Sequence, residues 1–230
     1  MTTSKVQIKT FSIVAFLSLL IFIIVTSCEK EESINYITDI EGNEYTTITI
    51  GTQEWFKENL KTSKFNDGTE IPLIMDNTWA GLSTSAYCWY DNDSDNKNLY
   101  GNLYNWHAVE TGKLCPDGWH VPSEEEWSTL IDFLGGSDIA GGKMKSINEW
   151  NIPNEGATNE SGFSALPGGD RDGVNAGFSG LGSSGYWWSS TAEDNIHGIG
   201  FKLKYNNAGI DGFGGGNNKS RGMSIRCIKD

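Results

Sequence analysis

The chain has 230 residues, 30 of them acidic against 17 basic, for a formal charge of −13. Phosphate binding wants a basic face, so this balance disfavours a nucleic-acid partner, and acid spread along the chain reads as a solvated surface. Twenty-eight glycines and nine tryptophans, with long runs lacking helical periodicity, predict one loop-rich domain pinned by aromatic rings; no tandem repeat is visible.

Residues 1–27 read as an export signal. Lys5 and Lys9 give a basic start, and Phe11 to Val25 is an uncharged apolar run, short of the roughly 20 residues that span a bilayer as a helix. The run closes in Val25-Thr26-Ser27-Cys28, which resembles the lipobox of bacterial lipoproteins. That resemblance implies that Cys28 is acylated, becomes the mature N-terminus and anchors the chain to a membrane; an ordinary signal or an anchor helix is the alternative. Removing the signal takes away two lysines and no acid, which moves the formal charge from −13 to −15. Residues 28–35 form a polar tether. Its Glu29-Lys30-Glu31-Glu32 resembles the signal by which Bacteroidota-type lipoproteins are displayed on the outer face of the outer membrane, so a surface-exposed outer-membrane lipoprotein is expected. A solvated linker is the plainer reading.

Residues 36–60 alternate apolar and polar side chains from Tyr45 through Ile48 and Ile50, with Gly42-Asn43 and Gly51 as turn residues, and predict two or three short strands. Asn66-Asp67-Gly68 makes a further hairpin-type turn. Residues 87–109 are expected to start as a strand, pass through a polar loop and end in a short helix carrying Tyr104, Trp106 and Val109. Asp91, Asp93 and Asp95 alternate as at the start of a calcium loop, but Asn96 and Asn102 stand where that loop needs glycine and glutamate, which favours an Asx-rich turn.

The clearest element begins at Ser123. Ser123 and Glu126 match a capping box, Glu124 to Glu126 place negative charge at the positive end of the helix dipole, and Trp127, Leu130, Ile131 and Leu134 recur on one helical face before Gly135-Gly136 ends it. From Gly141 to Asn218 the chain is rich in Gly, Asn and Ser, with brief apolar islands, so short strands joined by long loops are expected. In "GMSIRCIKD", Met223, Ile225 and Cys227 alternate with Ser224 and Arg226 as a terminal strand with its apolar face inward.

The blocks "YCWYDND", "YGNLYNWHAV", "KLCPDGWHVPSEEEW", "SGFSALPGGDRD", "GYWWSST" and "SIRCIKD" resemble those of the Fibrobacter succinogenes major paralogous domain, or FISUMP, over one domain at 36–230. Members of that family are exported proteins or lipoproteins without an established biochemical function. The helix after "VPSEEEW", the Gly/Trp-rich middle and the last strand are also similar to the C-type lectin-like fold, on which sulfatase-modifying enzymes are built. The resemblance implies an α+β class: a small twisted antiparallel sheet, one or two short helices and long Gly-rich loops.

Some members carry a second cysteine soon after the position of Cys88. Here there is none, so Cys88 is expected free and buried, and an exported chain would pair Cys115 with Cys227. His107, His120 and His197 are too scattered for a zinc site, no nucleophile or nucleotide motif is present, and the catalytic cysteines of the sulfatase-modifying enzymes have no counterpart. No cofactor, metal or catalytic residue is therefore assigned, and an enzyme on that scaffold stays an alternative. Ligand contacts are sought instead in the glycine-rich half. Trp187 and Trp188 would face opposite sides of a strand, one packed and one toward solvent as a sugar platform, with Asp170, Arg171, Asn195 and Asn217 as hydrogen-bonding neighbours. Two core tryptophans, and Arg171 and Arg226 as buried salt-bridge partners that pin loops, are the competing reading. The expected function is a non-catalytic surface domain binding an extracellular ligand, with a glycan as the expected class; structural or adhesive contact with another protein is the alternative.

Overall fold

The structure is a computed structural model that describes residues 36–213 and 217–230. The signal, the tether and Cys28 lie outside the described residues. Strands β1 (Ile37–Thr38) and β2 (Glu44–Tyr45) make a hairpin. Its turn is held by Asp39, whose Oδ1 accepts from the backbone N–H groups of Glu41 and Asn43. Strands β3 (Thr47–Ile50) and β4 (Gln53–Phe56) follow, so this span holds four short strands where two or three were expected.

The next stretch departs from expectation. β5 (Tyr87–Cys88) pairs with β6 (Leu103–Tyr104), and the polar loop between them contains a helix, α1 (Asp95–Tyr100). Tyr104 is therefore on a strand, while Trp106 and Val109 lie on α2 (Trp106–Val109) as expected. Asp93 Oδ1 accepts from Asp95 N–H at 3.0 Å, the bond of an Asx turn, and among the described residues no group of three or more His, Cys, Asp or Glu is placed so that it could hold a metal ion.

After β7 (Trp119–His120) comes α3 (Glu124–Phe133), with both arms of the capping box formed. A fourth helix, α4 (Ser137–Met144), follows, where one or two short helices were expected in all. Glycines in a helix interior cost stability, and here close approach requires them: a Cβ on Gly141 would lie 2.1 Å from the Gly209 carbonyl oxygen, and one on Gly142 2.3 Å from that of Gly156.

The glycine-rich half forms β8 (Gly168–Arg171), β9 (Phe178–Leu181), β10 (Ser184–Ala192), β11 (Gly198–Lys204) and β12 (Ile210–Phe213). Their order in the sheet is β12-β11-β10-β8-β9, antiparallel except for the β10–β8 pair. The chain ends in β13 (Ile228–Lys229), which sits between β4 and β7 in a second sheet of order β3-β4-β13-β7. The class is thus α+β, with mostly antiparallel sheets and short helices.

Two aromatic cores form on the two faces of β10. One contains Tyr45, Phe56, Trp106, Trp119 and Trp188; the other gathers Trp55, Trp127, Phe163, Trp187 and Phe201, with Trp127 stacked on Phe201 at 4.8 Å. A third cluster, under the loop between β4 and β5, holds Trp79, Cys88 and Leu103. Cys115 and Cys227 are joined, Sγ to Sγ, and tie the segment before β7 to the segment before β13; Cys88 is free and buried. The terminal segment corrects one expectation: Ser224 and Arg226 are buried along with Met223, Ile225 and Cys227, because both sides of this segment are covered.

Candidate functional site

The alternation of Trp187 and Trp188 on β10 is real, but both faces of the strand are core and each ring is 0% exposed. Their indole N–H groups are satisfied internally, Trp187 donating to Asn59 Oδ1 and Trp188 to the Tyr104 carbonyl, both at 2.9 Å. The expectation that one of them offers a flat platform to a sugar is therefore corrected. A strand in the middle of a sheet between two cores has no solvent side.

Arg171 is likewise internal. It lies between the rings of Trp79 and Phe178, each 4.8 Å from its guanidinium carbon, and donates to the carbonyls of Ile74, Asp76 and Ala176. Its role is to fix the loop before β5, and its partners are carbonyls rather than a carboxylate. Asp170 points the other way. Its Oδ1 accepts from Ser179 Oγ and its Oδ2 from Arg221 Nε at 2.8 Å, and Arg221 Nη1 reaches Asn217 Oδ1 at 3.0 Å. Of the six residues singled out in the sequence, only Asp170 and Asn217 are thus shown joined, through an arginine that was not foreseen, and both are buried. Asn195 stands apart on the exposed β10–β11 turn, beside Asp194, which accepts from the N–H groups of Ile196 and His197.

Two more cations lie inside the fold. Arg226 is 0% exposed and donates to Asn59 Oδ1 and to the carbonyls of Phe56 and Phe163, with its guanidinium 4.3 Å from the Phe163 ring. Burial pulls its pKa down to about 9, which still leaves it charged at neutral pH. Lys145 donates to the carbonyls of Glu155, Lys204 and Asn207 at 2.8 to 3.0 Å, and burial lowers its pKa to about 8. His120 is structural too: Nδ1 meets Asp230 at 2.6 Å and Nε2 meets Glu126 at 2.9 Å.

With these groups committed to the scaffold, one surface feature that combines two lysines, neutral hydrogen-bonding groups and apolar side chains is a groove of about 340 Å³. It is bounded by the segment after β4, by α1 and by the segment before β8. Its lining consists of Lys57, Glu58 and Lys61, of Asn98 and Leu99, and of Ser164 and Leu166. Leu99 is 46% exposed, and Ser164 holds φ +55°, a left-handed backbone uncommon outside glycine. Sequence reasoning passed over these residues because they come from three separated segments. The signal available was Lys57 and Lys61, two lysines four residues apart in a chain with few bases.

Among curated proteins, an N-glycosylase/DNA lyase from Saccharomyces cerevisiae is 29% identical over 110 residues, covering 46% of this chain. The chain spans only 29% of that protein's length. No solved structure matches the chain. The model of the Fibrobacter succinogenes major domain matches residues 48–229, from β3 to β13, and the chain belongs to that family.

Proposed function

We propose that this protein is a non-catalytic lipoprotein domain, anchored through Cys28 and displayed on the outer surface of the outer membrane, which binds an extracellular glycan. The lectin-like architecture is part of the same proposal, supported by short helices, small antiparallel sheets, long connecting loops and a disulfide that clamps the terminal strand. The groove at Lys57, Asn98 and Leu166 carries the reading. Ligand sites of this size combine apolar walls with a few convergent polar groups, and here the polar groups stand on segments fixed from beneath. Asn59 Nδ2 donates to the Tyr100 carbonyl, and Arg226 grips the carbonyls of Phe56 and Phe163.

The activity named for the yeast protein is not proposed here. It would require contact with DNA, and a chain of formal charge −13 offers little for a polyanion of that length. The full chain in detergent, applied to an array of neutral and acidic glycans, is expected to retain a defined subset. Retention of none, together with capture of a surface protein, would favour protein adhesion instead.

A further inference from the structure

Resting on the glycan reading, we infer that the groove takes a carboxylated sugar: a hexuronic-acid unit whose carboxylate meets Lys57 and Lys61, whose hydroxyls meet Asn98 and Ser164, and whose apolar ring face lies on Leu99 and Leu166.

The charge around the groove carries this. Most lysines of the described surface are already ion-paired: Lys64 with Glu70, Lys113 with Asp67, Lys143 with Glu160, Lys204 with Asp211, Lys219 with Glu110 and Lys229 with Glu54. Lys202 lies over the Tyr186 ring and Lys97 acts on Glu41. Lys57 and Lys61 have no such ion pair among the described residues, and they line the same groove. The acid between them, Glu58, also lines the groove, but each of its oxygens is engaged by Thr46, whose N–H and hydroxyl donate to it at 2.8 Å each, so the two lysines outnumber it. Beneath the groove, the buried guanidinium of Arg226 bonds the carbonyls of Phe56 and Phe163, which directly precede the lining residues Lys57 and Ser164. Its hydrogen-bond partners are all neutral, so its positive charge adds to that of the two lysines and offsets the charge of nearby Glu58. A positive groove on an acidic molecule selects an anion.

The other walls decide which anion. Free phosphate would leave Leu99 and Leu166 uncovered, and a neutral sugar would leave the two ammonium groups without a partner. A uronic acid carries a carboxylate, several hydroxyls and a C–H face on one ring, and so matches all three kinds of wall.

The test is calorimetric titration of the full chain in detergent with tetragalacturonic acid and with its methyl ester, which keeps the ring and masks the charge. The acid is expected to bind more tightly than the ester by about tenfold or more, as for loss of a charge-assisted hydrogen bond. Lys57→Glu and Lys61→Glu, both half-exposed and expected to fold, should each lose a similar factor for the acid and leave the ester unchanged. Equal affinity for acid and ester, or lysine variants that bind the acid as the wild type does, would overturn the inference while leaving glycan binding elsewhere on the domain intact. Failure of the glycan array as a whole would instead remove the reading on which it rests.

Discussion

Arg171, Arg226 and Lys145 share one arrangement, a buried cation held by carbonyl or amide oxygens with no carboxylate bonded to it. Each collects acceptors from segments far apart in sequence, which lets irregular backbone be buried with its polar groups satisfied. The planar fork of Arg226 serves three acceptor groups and an aromatic ring at once, which an ammonium cannot do. Arg226→Lys is therefore expected to destabilise the fold by about 2 kcal/mol or more in denaturant titration, because carbonyls are left unpaired. A loss below about 0.5 kcal/mol, the range of neutral surface changes, would contradict this account. These residues also mark where sequence reading stops. A basic side chain in a glycine-rich stretch has the same letter whether it faces a ligand or a carbonyl, and only the packing of distant segments decides.

At the scale of elements, α3 was legible almost residue by residue, since its cap, its buried face and its glycine stop are all local. Ser123→Ala is expected to cost about 1 kcal/mol, typical of a lost N-cap, measurable as a lower midpoint of chemical unfolding. The same cap feeds a longer connection, because Glu126 receives the Ser123 hydroxyl and N–H on one oxygen and His120 on the other. Partial burial opposes charge on His120, but its hydrogen bonds to Asp230 and Glu126 prevail and raise its pKa above the usual 6.5. For Glu126, burial pushes upward, yet the bonds from Ser123 and His120 prevail and lower its pKa. A raised histidine contributes stability that is complete below its unfolded pKa and lost as pH rises through the folded value. A lowered glutamate contributes stability that is lost as pH falls through its folded value. Wild type should accordingly lose stability relative to His120→Gln as pH rises from 6 toward 9; parallel curves for the two proteins would refute the link. α4 and α1 were hidden for the opposite reason. The glycines of α4 answer a tertiary contact, and α1 is a short helix that buries none of its residues.

Over the whole molecule, one covalent bond and one terminal strand close a long path. Cys115 and Cys227 are 112 residues apart, so in the chain-entropy model their bond stabilises by up to about 4 to 5 kcal/mol, and commonly by less. The double variant Cys115→Ala, Cys227→Ala should lose roughly 2 to 4 kcal/mol in equilibrium unfolding, and an unchanged midpoint would show that packing alone sets the loop. The α+β class was implied by the family resemblance and the disulfide by an exported context, while β10 and β11 lie on apolar islands that the sequence displays. The burial of both Trp187 and Trp188 could not be read in advance, because both faces of β10 are core. The groove was equally hidden, since Lys57, Leu99 and Ser164 meet only in the folded chain. Photo-crosslinking with a photoreactive oligogalacturonate, followed by mass mapping of the labelled peptides, tests this account most directly. Labelling within 57–61, 98–99 and 164–166, suppressed by excess tetragalacturonic acid, is the expected result; labelling confined to other surfaces, or none, would contradict it.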